Sequence, residues 1–254
     1  MTTNTQPTSL LADPNWKLHA GWGVGTLGAS FLLNSFAGLQ AAFLTTVLGV
    51  AAASAAGLLF IAKLWDIVSN PLMGWISDRT ESRWGRRRPY LLLGGVVSGV
   101  AMALFFSAAL TPVSQSSVLI VLTLALVGTG YTIFNVPYMA MPSEMVDDYR
   151  ERTRMMSWRV GFIGIGTLVG ASAQKVAELL GEGALGYARM GLLYGLLIFV
   201  FMAAAFFGTA GAPMRKRDVK RVTFREQLQT AIANKPFMAL LAVKFVQLFG
   251  LFTS

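Results

Sequence analysis

The feature that most constrains this chain is a succession of long apolar segments joined by short polar turns. Six complete segments cover about 19–47, 51–77, 90–110, 118–141, 156–179 and 187–211, and a seventh begins near 237 and runs to 254. Each complete segment exceeds the ~20 residues that carry a helix across a bilayer. Composition agrees with that reading. Only 13% of residues are charged, against about 25% in soluble domains, and the mean hydropathy is +0.57. Cysteine is absent, which rules out a disulfide framework or a thiolate metal site within these residues.

A net charge of +9 raises the question of nucleic acid. The basic residues do not spread over a face, however. They cluster between apolar segments, as cytoplasmic loops of a polytopic membrane protein do. The turn after segment 2 holds Arg79, Arg83, Arg86, Arg87 and Arg88, and the turn after segment 4 holds Arg150, Arg152 and Arg154. The stretch after segment 6 holds Arg215, Lys216, Arg217, Lys220, Arg221, Arg225 and Lys235, whereas the turns after segments 1 and 3 hold no basic residue. The positive-inside rule then places the N-terminus and the even-numbered turns in the cytoplasm of a plasma (inner) membrane. Residues 1–16 lack a basic region followed by an apolar core, so no cleavable signal is expected.

The organisation predicted is therefore a polar tail over 1–16, a six-span bundle over 17–211, a basic cytoplasmic linker over 212–236 and the start of a truncated seventh span over 237–254. In the linker, Thr223-Phe-Arg-Glu226 fits a capping box that opens a short amphipathic helix. Six spans, a linker and a seventh make half of a twelve-span plan. Two short motifs carry no weight. Gly23-Val-Gly25-Thr-Leu-Gly28 matches a dinucleotide fingerprint, but no strand precedes it and no acid follows at about 20 residues. His19 lies at the edge of segment 1 with no partner in sequence.

Segment 2 carries the chemistry. Ionisable groups inside a span cost roughly 2.5–3.5 kcal/mol on insertion scales and mark function by default. Asp66 lies twelve residues before Asp78, about 18 Å along the axis and near mid-bilayer. Lys63, at i−3, and Asn70, at i+4, share its face. A cation, a carboxylate and an amide in one column can hold a proton or a sodium ion, since hard cations take oxygen ligands. The competing reading is a structural Lys63–Asp66 pair. In segment 4, Thr132 and Asn135 share a face, with Asn135 about 13 Å from Glu144. Polar groups at matched depth predict a shared cavity; an interhelical hydrogen bond is the alternative for Asn135. Trp65, Tyr131 and Tyr138 can stack on a sugar ring or simply pack. In the turn Gly74 to Tyr90, Asp78 at a helix C-terminus is disfavoured by the helix dipole, and bidentate arginine pairs would offset that.

The pattern Lys63-x-Trp65-Asp66-x-x-x-Asn70-Pro71-x-x-Gly74-x-x-x-Asp78-Arg79-Thr80-x-x-Arg83-Trp84-Gly85-Arg86-x-Arg88-Pro89-Tyr90 resembles the glycoside–pentoside–hexuronide:cation symporters of the major facilitator superfamily. Tyr131-Thr132…Asn135-x-Pro137 and Arg150-Glu151-Arg152…Arg159 resemble that family's next two signatures. The resemblance implies an all-α transporter of twelve helices, whose first half is two inverted three-helix repeats working by alternating access. It implies coupling by H+ or Na+ through Asp66, Asn70, Lys63 and Thr132, and solute contacts from Asn135, Tyr131, Trp65 and Tyr138. It further implies a cytoplasmic gate of Gly74, Asp78, Arg79, Arg83, Gly85, Arg86 and Arg159. This chain carries Asn70 where the family usually has a second acid and Asn135 where it often has another, so Asp66 is left as the single membrane carboxylate. No cofactor, metal or nucleic acid is expected. The partners expected are the bilayer, a small solute and a C-terminal half outside this chain. The alternatives are an uncoupled exporter, a lysolipid-type carrier, or a non-transporting sensor or partner-binding subunit. An enzyme is not expected, because no nucleophile–base pair or metal cluster is visible.

Overall fold

A computed structural model of the chain describes residues 15–111 and 116–212, with isolated positions between 233 and 243. Most of the polar tail, the turn after segment 3, the linker with its capping box and nearly all of the seventh span lie outside the described residues. The chain divides into one unit over 1–215 and another over 216–254, and the helical bundle belongs to the first.

Among the described residues every element is helical. Helix α1 (Trp16–Ala42) runs into a π turn (Phe43–Val47), α2 is Ala52–Arg79, and α3 (Arg88–Ser107) ends in a 3-10 turn (Ala108–Leu110). Helix α4 (Ser117–Ala140) is followed by the single turn α5 (Pro142–Met145), then α6 (Tyr149–Ala171), α7 (Ala173–Leu180) and α8 (Gly183–Gly208). Five helices are long and apolar enough to cross a bilayer, and α6 with α7 makes a sixth span if that bent pair crosses as one.

Two boundaries differ from the sequence expectation, each for a local reason. Helix α6 starts at Tyr149 rather than near Met156, because the Asp148 carboxylate accepts the Glu151 backbone N–H at 3.1 Å. That is an N-cap with an acid three residues on. Arg150, Arg152 and Arg154 therefore sit on the first turns of a helix and not in a loop. Span 5 also breaks. The axis turns by 40° between Ala171 and Ala173. There the Ser172 hydroxyl donates to the Val169 carbonyl at 2.7 Å and meets the Tyr194 hydroxyl at 3.1 Å. Beyond the break α7 buries Ala173 and Ala177 and packs on α8. Arg189 closes it by donating to the Leu180 carbonyl at 2.7 Å.

The spans pack in the order α2–α4–α3–α8–α1–α6. Exchanging the first three spans for the last three maps this order onto itself. The α1–α6 pair becomes α4–α2, α3–α4 becomes α8–α1, and α3–α8 becomes itself. An odd number of spans per repeat reverses the second repeat relative to the first, so the bundle is two inverted three-helix units. Lipid is as apolar as leucine, so such helices are held by close packing rather than by the hydrophobic effect. At the α3–α8 seam the approach is limited by the backbone: a Cβ on Gly99 would lie 2.5 Å from the Gly195 carbonyl oxygen, and one on Gly195 2.4 Å from that of Gly99. Between α1 and α3, Phe36, Phe43, Phe105 and Phe106 form a ring cluster with centroids 4.9–6.3 Å apart. Helices α2 and α6 end the packing order and stay open on one side; α2 buries only Ala55, Leu58, Ser69, Met73 and Ser77.

Candidate functional site

The half-open face of α2 presents the ionisable column. Lys63 Nζ donates to Asp66 Oδ2 at 2.9 Å; the lysine side chain is 73% exposed and the aspartate 25%. One turn on, the Asn70 amide donates to the Asp66 carbonyl at 2.7 Å, and its oxygen accepts from the Thr132 hydroxyl of α4 at 3.3 Å. Lys63, Asp66 and Asn70, grouped by spacing, thus run on through Thr132 into α4, with Asn70 held on the Asp66 backbone and not on its carboxylate. Asp66 is neither sealed into a dry clasp nor turned wholly outward. Its other oxygen rests against α4 at Gly128, where an added Cβ would stand 2.6 Å away. Trp65 is tied to the same stretch of α4, its indole N–H donating to Thr129 Oγ1 at 2.8 Å. Gly128 and Thr129 carry no signal of their own in sequence; only pairing α2 with α4 exposes their part.

The four residues expected to meet a solute separate in the structure. Trp65 is 43% exposed, and Tyr131 and Asn135 are half-buried. Among the described residues the Asn135 amide makes no side-chain hydrogen bond, so its donors and acceptor stand open. Tyr138 differs. It is 1% exposed and stacked on Trp22 of α1 with centroids 4.7 Å apart. Its hydroxyl meets Thr26 Oγ1 at 2.6 Å and donates to the Trp22 carbonyl at 2.8 Å. The ring staples α1 to α4 and has no open face for a solute. Arg159 sits on α6, and its buried Nε makes no hydrogen bond among the described residues.

At that turn the arginines divide into three groups. Arg87 Nη2 donates to Asp78 Oδ1 at 2.9 Å and its Nε to Glu144 Oε1 at 2.6 Å, and Arg86 also pairs with Glu144. One guanidinium thereby joins the end of α2, the start of α3 and the short α5. Glu144 is 7% exposed on its side chain, and Asp78 57%. Arg79 and Arg83 meet no carboxylate among the described residues. They stack on Trp75 and Trp84, at 4.2 and 4.7 Å from the ring centroids. Arg88 donates to the Phe206 carbonyl of α8 at 2.8 Å. Gly85, at φ +90°, supplies the left-handed residue that turns the chain back. Gly74 packs close to α4, with a Cβ there 3.8 Å from Val136. Sequence spacing missed Glu144 and Arg87, since the two partners lie 57 positions apart.

An α-helical bundle of two inverted three-span repeats, with a part-buried carboxylate in mid-span and an acid–arginine turn at one end, defines half of a major-facilitator-type transporter. Residues 21–254 match the family model of MFS/sugar transport proteins. The chain belongs to that family, the glycoside–pentoside–hexuronide:cation symporters, whose members are transporters and not enzymes. It is 31% identical over 217 residues to YagG of Escherichia coli, provisionally named a glycoside/cation symporter, covering 84% of this chain and 45% of that protein. It is 26% identical over 196 residues to the inner membrane symporter YicJ of the same organism, covering 76% and 43%. With the glucuronide carrier protein homolog of Escherichia coli it shares 27% over 168 residues, covering 63% and 36%. The chain spans less than half the length of each.

Proposed function

We propose that these residues form the N-terminal half of a secondary transporter. It moves a small solute, a sugar or glycoside, across the bacterial inner membrane by alternating access. The solute sits between this bundle and a second six-helix bundle, at the midplane where repeats of such carriers meet. Trp65, Tyr131 and Asn135 line that side. Binding of H+ or Na+ at Asp66 shifts the inward–outward equilibrium, because only a ligand with different affinity for the two states can do so. The arginine-rich turn faces the cytoplasm with the N-terminus, and its Asp78–Arg87–Glu144 cluster gates that side together with Gly74, Gly85 and Arg86.

The observation that carries this reading is the part-exposed mid-span carboxylate of Asp66, paired with Lys63 and lying against Gly128 of α4, with Asn70 bridging from the Asp66 backbone to Thr132 one turn on. The test is uptake of radiolabelled glycosides by the full-length protein in proteoliposomes, wild type against Asp66→Asn. The variant should equilibrate solute but lose accumulation driven by a proton or sodium gradient. Undiminished accumulation in the variant would overturn the assignment.

A further inference from the structure

We propose that the Lys63 ammonium is the built-in cation of this site: it occupies the place a sodium ion would take on Asp66, and it makes the carrier indifferent to Na+. The inference rests on the transporter reading above and concerns which ion the same site admits.

A hard monovalent cation at Asp66 would draw on oxygen ligands, and the column offers the carboxylate, Asn70 Oδ1 and Thr132 Oγ1. Each already has a donor or a neighbour from within the bundle. Asp66 Oδ2 takes the Lys63 ammonium at 2.9 Å, Asp66 Oδ1 lies against Gly128, and Asn70 Oδ1 takes the Thr132 hydroxyl at 3.3 Å. The charges reach the same answer. Lys63 is positive and Asp66 negative, and the two are in contact. No second acid stands beside Asp66 one turn on, where the column carries Asn70. A sodium ion entering this group would add a cation to a pair that is already neutral. Like charges a few ångströms apart in a partly buried site repel strongly.

Lys63 is itself 73% exposed on its side chain, so it is a tethered ligand at the open face and not a core residue. A proton on Asp66 removes the charge that holds the ammonium, whereas a sodium ion must displace it. Deleting the ammonium should therefore leave a lone carboxylate, with the Asn70 and Thr132 oxygens one turn on, a site of the right charge for Na+.

The experiment tracks thermal unfolding of the full-length purified protein in NaCl against equimolar choline chloride, a readout that needs no solute to be carried. A ligand that binds only the folded state raises its melting temperature in a saturable way. Wild type should show no sodium-specific shift. Lys63→Ala should gain a saturable one of about 1 °C or more at tenfold saturation. Lys63→Met, which keeps the length of the stem, should behave alike and covers the case in which the alanine variant does not fold. Lys63→Arg should restore indifference, and adding Asp66→Asn to Lys63→Ala should abolish the shift. A saturable sodium shift in wild type would overturn the proposal, as would its absence from both neutral Lys63 variants. Either result leaves the transporter reading standing, because that reading is judged by solute accumulation.

Discussion

Two carboxylates in the arginine turn touch the same guanidinium and should matter very differently. Glu144 is nearly enclosed, whereas Asp78 is 57% exposed on its side chain. Removing one partner of a buried pair leaves an uncompensated charge and costs about 3 kcal/mol or more. Exposed pairs contribute up to about 1 kcal/mol. Glu144→Gln should therefore lower the stability of the purified protein by roughly 3 kcal/mol in a denaturant titration, and Asp78→Asn by less than about 1 kcal/mol. Equal losses would contradict the geometry. Gly128 makes a second prediction at this scale. Alanine there improves helix propensity by up to about 1 kcal/mol, so the protein should stay folded. Its methyl would nonetheless lie 2.6 Å from Asp66 Oδ1, so the carboxylate must leave α4. Gradient-driven accumulation should fall about tenfold, some 1.4 kcal/mol, while unfolding is unchanged or later. Spacing along one helix makes Lys63, Asp66 and Asn70 visible in sequence, since i−3 and i+4 must share a face. The same logic cannot reach Glu144 or Gly128, whose partners are on other helices. It also cannot tell that Tyr138 faces α1, because lipid-facing and core-facing sides of a span are both apolar.

At the scale of elements, hydropathy and length suffice to find the five long apolar helices and the bent α6–α7 pair among the described residues, and cap chemistry sets what they leave open. Asp148 and Glu151 stand in the sequence at capping spacing, yet the arginines around Glu151 read as a loop until that cap is seen in place. The break at Ser172 has weaker warning, because Ala171-Ser172-Ala173 continues an apolar run. Only the Tyr194 hydroxyl of α8 and the freed Val169 carbonyl explain it. Helix seams make a prediction of their own. Gly99 meets the Gly195 backbone, whereas a Cβ on Gly38 would meet nothing within 4 Å. Overpacking a tight contact costs typically about 1–3 kcal/mol. Gly99→Ala should therefore destabilise the protein by about that amount, and Gly38→Ala should be neutral or stabilising by up to about 1 kcal/mol. Denaturant titration of the two variants decides between them.

At the scale of the molecule, the two-repeat symmetry of the packing order leaves α2 and α6 as the open helices, and α2 carries the ionisable column. Orientation is a separate matter, set by loop charge. The absence of cysteine from these residues makes it simple to test. A cysteine at Ser82 should resist a membrane-impermeant maleimide applied to intact cells, and one at Gly183 should react. The reverse labelling would invert the topology proposed. The central claim is that Asp66 binds the coupling ion. Its most direct measurement is ion movement itself, in proteoliposomes of the full-length protein loaded with a pH-sensitive dye and given an inward gradient of a transported glycoside. Wild type should carry protons inward with the solute, and Asp66→Asn should equilibrate the solute with no change in internal pH. Proton entry that persists in Asp66→Asn would contradict the account.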